Sequence, residues 1–299
     1  MRAMAAPTSQ ILLGLYAKMV SVVLFATLDA MVKWLGDSYG SFQLMAFRSI
    51  VALVPLYFVV RHAGTINVLR SNRPLLQLLR ITAGFGSLFG FFYVFPRMPL
   101  VDAYAISFAA PLFMVALSVP ILREAVGWRR WSAVVVGFAG VMIMLDPWNV
   151  SVHWLSLVVL AATFCYAFST VLTRLISRHD HDAATIFWFC VAASAVSLVC
   201  AIPDWKWPPA IDWLWLCGLG VVGGTGQIMV TRALRLAPPS ILAPFDYSSI
   251  ILAVAFGYLI FHETPSPAVW YGLPLVIGSG LYVLHREQVR AREAWRLNP

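Results

Sequence analysis

The stretch Pro99–Trp131, PLVDAYAISFAAPLFMVALSVPILREAVGWRRW, can be laid over Pro238–Trp270, PPSILAPFDYSSIILAVAFGYLIFHETPSPAVW, at a shift of 139 residues. Pro99 then meets Pro238, Glu124 meets Glu263 and Trp131 meets Trp270. One segment earlier Gly84 meets Gly223, and at the near-equal shift of 141 Lys33 meets Arg174. Agreement over most of each half reads as an internal repeat.

What repeats is a set of apolar segments. The 299 residues are 61% hydrophobic and 11% charged, with a mean hydropathy of +0.81. A soluble domain is about 45–50% apolar and about 25% charged, so a water-facing surface cannot be built from this composition. Ten stretches reach the roughly 20 residues that span hydrocarbon: 11–35, 41–61, 73–96, 100–122, 129–146, 152–172, 183–203, 211–232, 238–261 and 267–285. They are continuous runs without ten-residue alternation, which favours helices over a barrel. The fold class read here is an all-α polytopic membrane protein of ten transmembrane helices. The N-terminal run passes through Asp29 and Lys33 with no small-residue cleavage pattern, so it reads as the first of these helices and not as a signal peptide.

The formal charge of +8 does not form a stripe for nucleic acid; its basic residues sit between the apolar blocks. With a cytoplasmic N-terminus, one side receives Arg61, Arg70, Arg73, Arg80, Arg123, Arg129, Arg130, Arg174, Arg178, Arg232, Arg235 and the tail arginines, together with Arg2 and Lys18. The other side holds only Lys33, Arg97 and Lys206. That asymmetry places both termini in the cytoplasm. Five helices per unit is an odd number, so the second unit is inserted upside down relative to the first, a transporter signature. The units read as 1–148 and 149–287, followed by a basic tail, 288–299.

These paired segments resemble the tandem EamA repeats of the drug/metabolite transporter superfamily over nearly the whole chain, including Glu124 and Glu263 at the fourth-to-fifth and ninth-to-tenth junctions. The resemblance implies a ten-helix basket around a central substrate cavity, with helices five and ten at the periphery. In size the bacterial amino-acid exporters, the aromatic amino-acid branch included, are similar. Other members carry S-adenosylmethionine, sugars, nucleotide sugars or drugs.

Ionisable groups inside a span cost at least about 2.5–3.5 kcal/mol and need a partner or water. Asp29 and Lys33 are four apart and either neutralise each other or line the cavity, where Lys33 would meet a substrate carboxylate. Arg48 has no acid on its own helix and either pairs with Asp29, Asp102 or Asp246 or recognises an anion. Asp246 lies beside Pro244, which loosens its helix; it binds an ammonium, carries a proton or forms a structural salt bridge. Asp29 and Asp246 are the candidates for charge or proton coupling.

The glycine-interrupted segments AGFGSLFG (83–90) and GVVGGTGQ (220–227) occupy matching positions of the two units. Gly84, Gly86, Gly223 and Gly224 serve either as packing or hinge positions or as markers of a binding site, with Gln227 as a polar neighbour. Phe85, Tyr104, Phe108, Tyr166, Trp188 and Tyr247 lie deep enough to form a ring-lined face for an amphiphilic solute, or to pack the core. The tryptophans near segment ends read as an interfacial belt.

Cys165, Cys190, Cys200 and Cys217 read as buried hydrophobes without ligand spacing. The tract His179–Asp182 reads as a solvated turn and not as a metal site. No P-loop, GxSxG elbow or HExxH helix occurs. No catalytic residue, metal or cofactor is therefore expected, and the chain does not read as an enzyme; a membrane enzyme acting on lipid-linked substrates is the remote alternative. The expectation is an inner-membrane transporter or facilitator that exports small metabolites, above all neutral or aromatic amino acids, by alternating access. S-adenosylmethionine, sugars or drugs, with or without proton coupling, are the alternatives. The expected partners are that solute and the bilayer, not nucleic acid, with the chain a monomer or weak dimer.

Overall fold

The computed structural model describes residues 8–62, 69, 71, 73–122, 127–145, 154–176, 182–236 and 242–297. In hydrocarbon the backbone must satisfy its own polar groups, and every long apolar run here does so as a helix. The first unit holds α1 (Thr8–Leu35), α2 (Ser41–His62), α3 (Pro74–Val94), α4 (Leu100–Ser107), α5 (Ala110–Leu122) and α6 (Trp128–Leu145). The second holds α7 (Trp154–Ile176), α8 (Asp182–Ala201), α9 (Ala210–Leu236), a 3-10 helix (Ala243–Ser248) that runs into α10 (Ser249–Phe261), and α11 (Pro267–Leu297). Seven stretches are long and apolar enough to cross a membrane, and three shorter apolar ones cover 131–144, 245–261 and 267–283. The chain is a multi-pass membrane protein with the ten segments its sequence predicts.

Two segments differ from that expectation. The fourth, read as one helix over 100–122, is broken at Phe108–Ala109. Pro111 has no N–H to return to Ser107, and its ring crowds the carbonyl there. The ladder therefore tightens: Ala109 N–H donates to Ile106 O at 3.0 Å and Leu112 N–H to Ala109 O at 3.0 Å. The tenth does not stop at 285, because α11 continues to Leu297 through the stretch read as a tail. HREQVRAREAWRL (285–297) is rich in Arg, Glu, Ala and Leu, all good helix formers.

The repeat is visible in the backbone. At the shift of 139, α5 and α10 begin and end at equivalent positions, each 13 residues long. Each follows an irregular stretch in the middle of its span, with Pro111 early in α5 and Pro244 early in the 3-10 helix. The packing obeys the same exchange of halves. Helix α1 lies on α9 as α3 lies on α7, and α6 lies on its own equivalent, α11. Helix α2 packs against both α8 and α9, which binds the units together. The main core cluster gathers residues of both units, among them Val32, Leu44, Ile106, Val159, Leu216 and Val276.

Candidate functional site

The Lys33 end of the bundle is closed by a polar seal. Lys33, at the last turn of α1, donates to Glu263 Oε1 at 2.7 Å, to Met98 O at 2.7 Å and to Phe95 O at 3.0 Å. Three partners saturate an ammonium, which has three protons to give. The second Glu263 oxygen, Oε2, accepts the Leu100 N–H at 3.3 Å. Helix α10 delivers Glu263 through a left-handed cap: His262 sits at φ 54°, and Glu263 N–H donates back to Gly257 O at 2.9 Å. Close by, Ser266 N–H donates to Asp102 Oδ1 at 3.1 Å. Helices α1 and α4, the α3–α4 turn and the α10–α11 turn are thus tied at one point.

A second tie at this end joins the α1–α2 turn to α9. Tyr39 donates its hydroxyl to Asp212 Oδ2 at 2.5 Å. Burial, and then the Asp212 carboxylate, push that hydroxyl up to about 12, so it keeps its proton throughout the physiological range. Tyr39→Phe leaves Asp212 without this donor and is expected to cost about 1–3 kcal/mol, read as a lower melting temperature in detergent micelles. Gln43 holds the neighbouring α8–α9 link, donating to Lys206 O at 2.6 Å and accepting from Lys206 N–H at 3.1 Å.

Toward the other end Lys18, buried on α1, pairs with Asp246 Oδ1 at 2.5 Å. Helices α1 and α10 run the same way, so one basic residue near each end of α1 holds an acid of the ninth segment. Tyr166 on α7, half exposed, lies within Coulombic range of that Asp246 carboxylate.

Between the two ties the mid-span breaks meet. Phe108, at the α4–α5 break, packs edge-on against Tyr247 of the 3-10 helix with centroids 5.1 Å apart. These residues are equivalents in the repeat, so the two units touch through the same position. Beside them Tyr104 donates to Asp29 Oδ2 at 2.5 Å and stacks on Phe95 at 6.2 Å. Arg48 lies within Coulombic range of Asp29 and of Cys190, yet Arg48 and Asp29 form no ion pair. Its Nε is buried without a hydrogen-bond partner, as is the Tyr247 hydroxyl. Gly223 lies beside it, a Cβ there standing in ordinary contact at 3.4 Å from Arg48 Nε and 3.5 Å from Leu28. Its equivalent, Gly84, lies against Phe189 and Ser169 in the same manner.

The candidate residues thus divide. Phe108 and Tyr247 meet at the breaks, Tyr104 one turn before Phe108 holds Asp29, and Arg48, beside Gly223, lies within Coulombic range of Asp29. Phe85 packs against the core, and Gln227 is half-buried on α9. Gly86 is only in ordinary contact distance of Cys165, whereas Gly224 is pressed against Ala52 and Pro55 of α2. Lys33 pairs across to Glu263 instead of with Asp29, and Asp246 takes the salt-bridge alternative. Trp188 turns away, donating its indole N–H to Leu69 O at 2.8 Å. Glu124 and His179–His181 lie outside the described residues.

Many of the charges counted between the apolar blocks lie within helices, and two of these reach partners on other elements. Lys18 is one; Arg80 is the other, donating from α3 to Thr173 Oγ1 at 3.1 Å and Thr185 O at 2.8 Å. Both sit inside apolar runs, the signal that could have marked them.

The chain matches the EamA-like transporter family twice, over residues 12–146 and 153–284. It is 27% identical to the S-adenosylmethionine uptake transporter of Rickettsia prowazekii (strain Madrid E) over 270 residues, 90% of this chain and 92% of that protein. It is 27% identical to the riboflavin transporter of Vibrio cholerae serotype O1, over 90% of this chain and 91% of that one. The pseudopaline exporter CntI of Pseudomonas aeruginosa is 26% identical, over 88% and 93%. A crystal structure of a protein 21% identical superposes with a TM-score of 0.64, covering 92% of this chain and 97% of that one, which shows a common fold.

Proposed function

The chain belongs to the EamA-like transporter family, and on that premise we propose that it exports a small amphiphilic solute of the amino-acid class across the inner membrane by alternating access. The class takes in free neutral or aromatic amino acids and amino-acid-bearing metabolites such as S-adenosylmethionine. The observation that carries the reading is the meeting of two mid-span breaks, at Phe108 and Tyr247, beside one interior carboxylate and one interior guanidinium. Irregular backbone at equivalent positions of two inverted repeats is where carriers of this architecture bind solute. The rings offer an apolar surface, and the opposite charges suit a zwitterion better than an ion of either sign.

The units are the two stretches the sequence divides near residue 148, rocking about the breaks. The arginine-rich end faces the cytoplasm. Lys33 and Glu263 then close the far mouth while the near one admits solute.

The test is counterflow of labelled methionine, phenylalanine, threonine, S-adenosylmethionine and riboflavin in proteoliposomes, with and without a pH gradient. Saturable exchange of at least one amino-acid solute is expected. Saturable exchange of riboflavin alone overturns the assigned class. Loading vesicles of known orientation reads the direction, and faster uptake than release under equal gradients overturns export.

A further inference from the structure

Arg48 is an interior charge with no ion pair among the described residues. Lys18 and Lys33 each have a carboxylate, and Arg80 has a hydroxyl and a carbonyl. Arg48 has no ion pair and no hydrogen bond among the described residues, and its Nε is shielded from solvent. A cation inside a span needs a partner or water. The nearest acid capable of that is Asp29, one helix away and within Coulombic range, but the two stand farther apart than the 4.0 Å of a salt bridge. Asp29 is held in place by Tyr104, whose hydroxyl occupies Oδ2 and leaves Oδ1 to accept another donor. Gly223 lies beside Arg48, its Cβ position in ordinary contact distance of Nε and Cγ. Two opposite charges therefore lie within Coulombic range of each other without joining.

We infer that Asp29 and Arg48 divide an α-amino-acid headgroup between them, the ammonium on Asp29 and the carboxylate on Arg48. The inference rests on the reading that the chain carries an amino-acid solute, and it says where that solute's headgroup sits. The ammonium and carboxylate of an amino acid are about 3 Å apart, and charge-assisted hydrogen bonds add about 2.8 Å at each end. The receiving groups must then stand about 5–8 Å apart, not in contact. A guanidinium presents the planar fork that matches a carboxylate, and a carboxylate accepts the protons of an ammonium. The zwitterion also brings no net charge into a site whose own two charges cancel. The body of the solute lies against the rings of Phe108 and Tyr247.

The experiment separates this site from the class reading. Counterflow of labelled L-methionine or S-adenosylmethionine, whichever the wild type exchanges, is competed with L-methionine, with its methyl ester, which lacks the carboxylate, and with 4-(methylthio)butanoate, which lacks the ammonium. In the wild type each deletion is expected to weaken competition at least about tenfold, because it strands a charge of the protein. Arg48→Gln is expected to collapse the preference over the ester to within about twofold while keeping the preference over the butanoate; Asp29→Asn does the reverse. A purely structural role lowers flux and leaves both preferences unchanged, and that result overturns the inference.

Should either variant fail to fold, Arg48→Lys and Asp29→Glu decide. Lysine keeps the charge but loses the fork, so the ester preference alone falls part of the way; with glutamate only the butanoate preference moves. Equal movement of both preferences, or of neither, overturns the inference. A wild type that exchanges riboflavin and no amino-acid solute brings down the class reading and this inference with it. A wild type that exchanges methionine without discriminating the ester or the butanoate brings down this inference alone.

Discussion

Replacing Lys33 with alanine is expected to open the Lys33 end of the bundle, and exchanging Lys33 with Glu263 is expected not to close it again. The side chains of the pair are 8% and 21% exposed, so removing one leaves the other largely out of water with its charge unanswered. Breaking a buried pair in this way costs about 3–5 kcal/mol. The penalty falls on the conformer that contains the seal, so at a tenfold change per 1.4 kcal/mol its population relative to open forms drops about a hundredfold or more.

Hydrogen exchange reads this directly. The Leu100 amide, bonded to Glu263, and the Met98 amide, bonded to Val94 O, are expected to lose protection by that factor. The reversed pair fails for a reason beyond charge. Position 33 also faces the carbonyls of Phe95 and Met98, which accept and cannot donate, so a glutamate there meets two oxygens. Restored protection and flux in the Lys33→Glu, Glu263→Lys double variant would show that the carbonyls contribute nothing and that charge alone holds the seal.

That asymmetry also explains where sequence reading succeeds and where it stops. Apolar runs of helical length are a local property, so all ten spans are legible, with ends off by a few residues except at the tenth, whose helix continues from 285 to Leu297. The shift that aligned Glu124 with Glu263 also aligns the break at Phe108 with Tyr247, but only Pro244 was read as loosening its helix. Pro111, which breaks the other, sits in an apolar run, 100–122, that reads as one helix. The charged residues were legible as a set and not as pairs. Asp29 and Lys33 are neighbours on one helix, and proximity in sequence suggested that they neutralise each other. The fold offers Lys33 a better arrangement, one carboxylate and two carbonyls, from residues 62 to 230 positions away along the chain, and Asp29 a tyrosine 75 away. No periodicity records such closures. Lys18 was counted among loop charges for a related reason, since its acid, Asp246, lies at the far end of the sequence. Trp188 lies six residues inside the apolar run 183–203, which suggests an interior ring, whereas its indole nitrogen finds the Leu69 carbonyl.

On α11, Gly272→Ala is expected to destabilise the protein while Gly278→Ala, six residues on, stabilises it. A Cβ on Gly272 would overlap the Gly140 carbonyl and the Met144 side chain of α6, and one on Gly140 would overlap the Gly272 carbonyl. The two helices approach backbone to backbone, and a carbonyl within a helix cannot swing aside as the tip of a side chain can. Overpacking of this kind costs about 1–3 kcal/mol, and more where backbone must move. Nothing lies within 4 Å of a Cβ on Gly278. There alanine only narrows the unfolded ensemble and is expected to gain about 0.4–1 kcal/mol. Thermal unfolding in micelles gives the two signs on one helix under one condition. Gly140→Ala combined with Gly272→Ala is expected to cost less than the sum of the two, since helices already parted by one methyl receive the second at reduced cost. Additive losses would mean that the two sites yield independently and that α6 and α11 do not move apart as rigid bodies. The preferences between methionine, its ester and the butanoate are expected to survive in all three variants, because this crossing lies away from Asp29 and Arg48 and acts only as a frame for the helices that carry them.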